Sequence, residues 1–268
     1  MENKLTVLIP CRNEHHNIEA CIDSVRPVAN EILVADSGST DRTLEIVRGQ
    51  PDCRLIERQF VDYANFKNWA IPQASHDWVL IVDADERLTD QLQAEIKTML
   101  TGQPEHTGYR VRRLNYFFGH RVRFGKGFHD WHLRLFRRDE GRYRSCRVHE
   151  SLKILSGTVG NLRHGMEHFT CDGFDYYEKV ERYTTWVAQD RLEQGKTATA
   201  FSVISRGPWE FFRQYVLRLG FLDGRIGLIV SALSGIYSMK KQAKLWTLCN
   251  SRSVEMSSAR LRTRRNAA

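Results

Sequence analysis

The chain has 268 residues, of which 41% are hydrophobic and 27% charged, enough for one large domain or a domain with an appendage. It has no low-complexity tract or internal repeat, which excludes fibrous and repeat architectures. Its six cysteines are scattered without a CxxC pair, so we expect free thiols in a reducing cytoplasm and no zinc site. Because a strand pattern follows almost directly after Met1, we expect no secretory signal.

The net charge of +8 is distributed unevenly along the chain. Residues 110–147 contain 12 Lys and Arg against 3 acids, residues 206–268 contain the same numbers, and the acids are concentrated in the N-terminal part. The two cationic blocks favour polyanionic partners such as nucleotide phosphates, phosphorylated glycans, anionic lipid or nucleic acid. A solvated cationic surface is the alternative interpretation.

The first 85 residues alternate between buried-strand and amphipathic-helix patterns. Strands are expected at residues 5–10, 31–36, 54–57 and 78–82, with helices at residues 18–25, 43–47 and 63–74. Asn13 is a candidate cap for the first helix. This order predicts an α/β fold with a mostly parallel, Rossmann-like sheet. Neither GxGxxG nor GxxxxGK[ST] occurs, which excludes a dinucleotide fingerprint and a P-loop.

Acidic residues stand at or just beyond the ends of three predicted strands: Glu14, Asp36, and the pair Asp83 and Asp85. Carboxyl ends of parallel strands meet at one edge of a sheet, where open sheets bind ligands. Two carboxylates at i and i+2 offer hard oxygen ligands to Mg²⁺ or Mn²⁺, and such a cation could hold a diphosphate. The alternative is a polar loop in which Asp83 caps the next helix. Glu86 is given no role beyond positioning the loop.

Beyond a helix predicted at residues 89–100 the sequence changes to extended patterns. Strands expected at residues 109–118, 132–137 and 148–155 predict a mixed or antiparallel sheet added to the first half. C-terminal helices are predicted at residues 176–192 and 208–219.

An apolar stretch of 14 residues follows at 226–239, which is too short to span a bilayer. Because Lys240, Lys241 and Lys244 come next, it fits a helix lying in a membrane interface against anionic lipid. A helix packed on the rest of the protein is the alternative.

Several motifs in a fixed order resemble family 2 glycosyltransferases of the GT-A fold. The general likeness rests on VLIPCRNE at residues 7–14, DSGSTD at 36–41 and DAD at 83–85. A narrower likeness to the WaaE-type lipopolysaccharide-core glucosyltransferases rests on FKNWA at 66–70, DADER at 83–87, RLFRR at 134–138, VHE at 148–150 and GFLDG at 220–224. The resemblance extends to about residue 248.

The resemblance implies a nucleotide-sugar donor, a divalent cation and inversion at the anomeric carbon. For the donor it implies the following residues: Pro10 and Glu14 near the nucleoside, Asp36 on uracil or ribose, Lys67 lining the nucleotide site, and Asp83 on the ribose. Asp85 takes the metal role. It also implies UDP-glucose as donor and a lipopolysaccharide-core or other lipid-linked glycan as acceptor.

Residues of the second half supply further candidates. Arg134 is a candidate for contact with the donor diphosphate or a phosphorylated acceptor, and His168 for completing the metal shell or gripping phosphates. Inverting transfer also needs a base on the sugar face opposite the departing diphosphate. Glu150, flanked by His149, is the first candidate, with a salt bridge to a nearby arginine as the alternative. Asp130 is the second candidate.

These inferences divide the chain into four parts. Residues 1–105 are the nucleotide-sugar-binding half, 106–175 the acceptor-binding and catalytic half, 176–248 a helical region that can associate with membrane, and 249–268 a basic disordered tail. We expect a protein on the inner face of the cytoplasmic membrane, with no nucleic-acid partner and an undetermined oligomeric state. A nucleotidyltransferase acting on sugar phosphates is the alternative enzyme, although CRNE replaces the glycine- and basic-rich loop it needs. A basic nucleic-acid-binding protein leaves the strand-end acids unexplained.

Overall fold

The structure is a computed structural model that describes residues 3–127, 130–144, 151–170 and 175–265, without the side chains of residues 175 and 252–265. The chain forms two compact units. The first comprises Met1–Arg121 and His129–Thr170, and the second comprises Val122–Phe128 and Cys171–Ala268.

The first unit is built on a nine-stranded sheet and a two-stranded sheet. The strands in chain order are β1 (Leu5–Cys11), β2 (Glu31–Asp36), β3 (Cys53–Glu57), β4 (Trp78–Ile81), β5 (Glu86–Leu88), β6 (Gly108–Phe117), β7 (His120–Arg121), β8 (Trp131–Arg137), β9 (Gly141–Tyr143), β10 (Leu152–Ile154) and β11 (Val159–Thr170). The large sheet has the order β3-β2-β1-β4-β8-β6-β11-β5, with β7 paired to β6, and the small sheet pairs β10 with β9.

The large sheet joins a parallel half to a mixed half. Strands β3, β2, β1 and β4 are parallel, as the strand–helix alternation predicts. Strand β8 then runs antiparallel to both β4 and β6, β11 runs parallel to β6, and β5 runs antiparallel to β11. The predicted α/β fold is therefore confirmed, and its second half continues the same sheet.

Helices cover both faces of the parallel half: α1 (Ile18–Val25), α2 (Thr43–Arg48), α3 (Tyr63–Ala70) and α4 (Asp90–Thr101). The side chains of β1 alternate between two hydrophobic clusters, so that Val7 packs with α1 and α4 while Leu8 packs with α3. Each large apolar side chain buried in this way contributes about 1.5–3 kcal/mol. This packing holds the carboxyl ends of β1, β2 and β4 at one edge.

Asn13 does not cap α1, contrary to the sequence-based expectation. The helix begins at Ile18 after Asn17, and the side chain of Asn17 makes no capping bond. Asn13 has a φ of 54°, a left-handed conformation that asparagine tolerates better than most residues. Its Oδ1 accepts a hydrogen bond of 2.8 Å from the backbone N–H of Thr40. Asn13 therefore connects the loops that follow β1 and β2.

The sequence-based assignment did not include β11 or β5. In β11, strict alternation of apolar and polar residues is absent, and the pairing with β6 shifts register between Asn161 and Gly165. Strand β5 has only three residues. Of the strand predicted at 148–155, residues 148–150 lie outside the described residues, and the described part contains β10.

Over its described residues, the second unit contains three α-helices: α5 (Asp175–Glu193), α6 (Ala200–Phe212) and α7 (Gly224–Arg265). Helix α6 begins eight residues before the predicted start, because Thr199 and Ser202 form a reciprocal capping box that places Pro208 inside the helix. A π-helical turn at Arg213–Leu217 and a 3₁₀ turn at Gly220–Asp223 lead into α7.

Helix α7 extends to Arg265, so the backbone is helical through most of the segment for which the sequence predicts a disordered tail. Helices α6 and α7 approach closely at two glycines. A Cβ atom on Gly235 would lie 2.9 Å from the carbonyl oxygen of Gly207. Within the described residues, no helix has the length and apolar composition that crossing a membrane requires.

Candidate active site

Asp36 lies at the end of β2, where its carboxylate shapes the following loop. The side chain is 1% exposed, and its Oδ1 accepts hydrogen bonds of 2.8 Å from the backbone N–H groups of Gly38 and Ser39. Its Oδ2 accepts from the hydroxyl of Ser39 and, at 3.6 Å, from the thiol of Cys11. Asp36 therefore stabilises the loop at the sheet edge. The contact with uracil or ribose stays a prediction.

Pro10 and Glu14 lie at the same edge, as the parallel arrangement requires. Pro10 is half-buried in β1 and pairs with Ala35 of β2. The backbone N–H of Glu14 donates to the Thr43 hydroxyl at 2.8 Å, and Glu14 Oε2 accepts from the Asn17 amide at 3.0 Å. These bonds fix the loop after β1 against α1 and α2. The role of both residues near a nucleoside stays a prediction.

Asp83, just beyond β4, is surrounded by three cationic side chains. Its Oδ2 lies 2.5 Å from Arg134 Nη2 and 3.1 Å from Arg113 Nη2, and its Oδ1 lies 3.4 Å from Lys67 Nζ. Burial by itself would raise the pKa of Asp83, but Arg134, Lys67 and Arg113 hold that pKa well below its usual range. Asp83 is therefore an anion, and 27% of its side chain is exposed.

Glu86 forms the buried part of the same cluster. Its side chain is fully buried, and its Oε1 lies 2.7 Å from both Arg113 Nε and Arg134 Nη2. Its Oε2 accepts a hydrogen bond of 2.9 Å from the backbone N–H of Asp83. Glu86 thus fixes the two arginines and the turn that carries Asp83.

Arg134 reaches this cluster from β8. Its side chain is 3% exposed, and its Nη2 contacts both Asp83 and Glu86. Burial would lower the pKa of Arg134, but Asp83 and Glu86 raise it well above its ordinary value. Its Nε is buried without a hydrogen-bond partner. The guanidinium is therefore engaged by site carboxylates, and its contact with a diphosphate stays a prediction.

Asp85 and His168 lie side by side because of the register between β5 and β11. His168 pairs with Glu86 across the two strands, and the backbone N–H of Phe169 donates to the carbonyl of Asp85 at 2.9 Å. His168 Nε2 lies 3.7 Å from Asp85 Oδ2. Two atoms at this separation can bind one cation without a change of fold. Among the described residues no cluster of three or more His, Cys, Asp or Glu side chains can hold a metal ion.

A hydrogen-bonded chain extends from His168 to Asp130 through the buried amide of Asn115. Asn115 Nδ2 donates to Asp130 Oδ2 at 3.0 Å, and Asn115 Oδ1 lies 2.7 Å from His168 Nδ1. Asp130 Oδ1 lies 2.7 Å from His132 Nε2. Burial would raise the pKa of Asp130, but His132 and Asn115 hold it below its usual range.

This chain determines the tautomer of His168. Ionised Asp130 can only accept, so the amide nitrogen of Asn115 must face it and the amide oxygen must face His168. Nδ1 of His168 then carries a proton, and in the neutral ring Nε2, on the side of Asp85, keeps its lone pair. The Thr170 hydroxyl lies within 3.2 Å of both ring nitrogens. Asn115 therefore fixes the orientation of the His168 ring relative to Asp130.

The two predicted bases differ in what the structure describes. Asp130 precedes β8, with 28% of its side chain exposed. Glu150 and the adjacent His149 lie outside the described residues. The choice of base stays a prediction.

Sequence reasoning did not identify Arg113 and Asn115. Both lie on the same face of β6 as the buried residues Tyr109, Val111 and Phe117. A polar residue on the buried face of a strand needs a partner, which is the signal that points to them. Their side-chain partners lie just beyond β4, on β5, just before β8 and on β11, and the sequence does not reveal how these strands pair.

The chain belongs to glycosyl transferase family 2: residues 6–158 match the model of the family described as "Glycosyl transferase family 2". It is a glycosyltransferase, and the identification made from its motifs is confirmed. Membership sets aside the nucleotidyltransferase and nucleic-acid-binding alternatives.

Two relatives are similar to this chain over most of its length. Lipopolysaccharide core biosynthesis glycosyltransferase LpsC of Rhizobium meliloti (strain 1021) is 33% identical over 249 residues, which cover 90% of this chain and 92% of LpsC. An uncharacterized glycosyltransferase of Rickettsia bellii (strain RML369-C) is 26% identical and covers 93% of this chain and 90% of its own length.

Two solved structures are also similar. The mannosyltransferase PcManGT from Pyrobaculum calidifontis, in complex with GDP-Man and Mn²⁺, is 17% identical, with a TM-score of 0.49 over 97% of this chain and 81% of that one. Glucosyl-3-phosphoglycerate synthase from Mycobacterium tuberculosis, in complex with Mn²⁺, UDP-Glc and phosphoglyceric acid, is 25% identical, with a TM-score of 0.34. That match covers 42% of this chain and 44% of the synthase, so it spans less than half of either chain.

Proposed function

We propose that this glycosyltransferase moves a hexose from a UDP-sugar to the lipopolysaccharide core or another lipid-linked glycan, with inversion at the anomeric carbon. The observation that carries this proposal is the Asp85 and His168 pair, 3.7 Å apart beside the anionic Asp83 at the ligand-binding edge of the sheet. The name and the 33% identity of LpsC support the acceptor class. With such an acceptor, we propose that the protein acts at the inner face of the cytoplasmic membrane.

Asp85 and His168 would hold a divalent cation, Mn²⁺ or Mg²⁺. The donor set fits such an ion, because a carboxylate and a neutral imidazole leave coordination positions for waters and phosphate oxygens. When bound, the cation offsets the negative charge that develops on the departing diphosphate. We propose that Asn115 keeps Nε2 of His168 able to bind by holding the proton on Nδ1.

The other site residues act on the donor and on the acceptor proton. Asp83, held ionised by its three cations, can accept hydrogen bonds from ribose hydroxyls. A general base works best when its pKa lies near the working pH. Because the pKa of Asp130 is lowered, Asp130 suits an orienting role, and we keep Glu150 as the proposed base for the acceptor hydroxyl.

Donor hydrolysis tests the function directly. Purified protein should release nucleoside diphosphate from one member of a UDP-sugar panel, and Mn²⁺ or Mg²⁺ should increase the rate. Glu150→Gln should keep donor binding and lose transfer, whereas full transfer by that variant would redirect the base assignment to Asp130. If no donor turns over and no nucleoside diphosphate binds, the proposed function is wrong.

Asn115→Ala should raise the Mn²⁺ concentration needed for half-maximal turnover by about 10–100-fold, because His168 loses the partner that sets its tautomer. Titration of turnover with Mn²⁺ measures the shift. The control is Arg110→Ala, an exposed position on the same strand, which should leave the Mn²⁺ response unchanged. An unchanged Mn²⁺ response in Asn115→Ala would contradict the positioning role, whatever its effect on thermal unfolding.

A further inference from the structure

Helix α6 carries large apolar side chains that are exposed. Phe201 is 79% exposed, Ile204 71% and Trp209 52%, and Phe212 follows three residues later on the same side. Another side of the helix contains Gly207, which packs against Gly235 and Met239 of α7. The helix therefore has one apolar side that packs within its own unit and a second that the unit leaves uncovered. We call this second side, Phe201 to Phe212, the α6 stripe.

Exposed apolar side chains continue beyond the α6 stripe along the turns that lead to α7. They are Val216, Leu217, Leu219, Phe221 and Leu222, each between 41% and 57% exposed. A soluble monomer does not normally expose so many large apolar residues in one stretch. This concentration indicates an interaction surface.

The charges around this surface are positive. Arg206, Arg218 and Arg225 are exposed. The two described acids between residues 206 and 250 are engaged within the unit. Glu210 binds Arg213 and Gln214, and Asp223 accepts from the backbone N–H groups of residues 123 and 124. The surface therefore combines an apolar stripe with arginines and suits a partner that is both apolar and anionic.

The sequence-based expectation put membrane contact on residues 226–239 and the following lysines, and it stays a prediction. In that segment Val230 is buried, whereas four large apolar side chains are 40–49% exposed: Leu228, Ile229, Ile236 and Met239. Lys240 and Lys244 lie 2.6 and 2.5 Å from the carboxylate of Glu181 in α5, so they link α5 to α7. Both lysines are thus satisfied by a protein carboxylate.

We infer that the α6 stripe and the turns after it dock on the surface of an anionic lipid bilayer, with the helix lying in the interface. Amphipathic helices that combine aromatic residues with arginines bind such surfaces through apolar burial and electrostatic attraction. A second copy of the chain fits less well, because a symmetric contact would bring the same arginines together. The inference deepens the proposed function by naming the surface that meets the membrane, where a lipid-linked acceptor lies.

Vesicle co-sedimentation of the full chain tests the inference. The protein should bind equimolar phosphatidylglycerol and phosphatidylcholine vesicles, and bind phosphatidylcholine vesicles weakly. The double variant Phe201→Glu/Ile204→Glu should lower binding by on the order of tenfold or more, because two apolar side chains no longer enter the interface. Val61→Glu/Leu155→Glu, at positions 68% and 64% exposed in the other unit, is the matched control and should bind normally.

A second pair of variants separates the electrostatic part. Arg206→Gln/Arg225→Gln should weaken binding to the anionic vesicles by about tenfold, and Arg42→Gln/Arg48→Gln should not. Unchanged binding by Phe201→Glu/Ile204→Glu would overturn the inference. The inference would also be wrong if the wild-type protein sedimented as a dimer and Phe201→Glu/Ile204→Glu sedimented as a monomer while its vesicle binding stayed the same. Donor hydrolysis is measured separately, so a failure of vesicle binding leaves the proposed function standing.

Discussion

Asp85→Asn is expected to lower sugar transfer by on the order of 10²–10³-fold, because the proposed cation loses its carboxylate ligand and the departing diphosphate loses its charge compensation. The amide has nearly the same shape as the carboxylate, and the backbone bond from Phe169 to the carbonyl of Asp85 remains. The fold should therefore persist. Transfer rates over an Mn²⁺ titration, together with the thermal unfolding midpoint, measure both outcomes.

The control for this prediction is Asp139→Asn, the same substitution at a side chain that is 79% exposed and pairs with Arg138. It should leave transfer and its Mn²⁺ response unchanged. A double variant provides a sharper test. If Asp85 and His168 bind one ion, Asp85→Asn/His168→Ala should cost little more than Asp85→Asn alone, because residues that act as a unit are not additive. Normal turnover by Asp85→Asn, or fully additive losses in the double variant, would refute a shared ion.

The parallel half of the fold was predictable because its signals are local. Apolar runs of four to six residues that alternate with amphipathic helices determine a right-handed parallel order, and an acid at a strand end then lies at the ligand edge whatever its distant contacts are. Asp36 and Asp83 could be placed in this way. What Asp36 does at the edge was not predictable, because its hydrogen bonds depend on the conformation of the loop at Gly38 and Ser39.

The mixed half was less predictable because its pairings are nonlocal. Glu86 and Arg134 lie 48 residues apart, and they meet only because β8 inserts beside β4 while β5 pairs with β11. The irregular sequence of β11 conceals the strand that carries His168. His168 could be named as a candidate ligand by residue type alone. Its partner Asn115 could be identified only from the parallel register of β6 and β11.

Arg134→Met is expected to lower the free energy of unfolding by about 3–5 kcal/mol, the cost of breaking a buried ion pair by removing one partner. In the variant, the fully buried Glu86 keeps Arg113 as its remaining cation, and Asp83 loses its shortest contact, which is with Arg134. Urea unfolding at neutral pH measures the loss. Arg48→Met is the control, since Arg48 and Glu57 are 60% and 51% exposed, and it should cost less than about 1 kcal/mol.

The double variant Glu86→Gln/Arg134→Met shows whether the pair itself is responsible. Removing both charges should restore part of the stability lost in Arg134→Met, because the fully buried carboxylate that has lost one of its two cations is gone. Losses that simply add would mean that the packing of Arg134, and not its charge, stabilises the site.

The pH dependence of Arg134→Met should change in a defined direction. Because cations hold the pKa of Asp83 well below its unfolded value, Asp83 stabilises the protein above the unfolded pKa, about 3.9, and this contribution is lost as the pH falls toward the lowered folded value. Without Arg134 the folded pKa of Asp83 rises toward the unfolded value, so the contribution of Asp83 becomes smaller and its loss ends at a higher pH. Urea unfolding across the acid range measures this difference, and the same acid dependence in wild type and variant would show that Arg134 does not set the charge of Asp83.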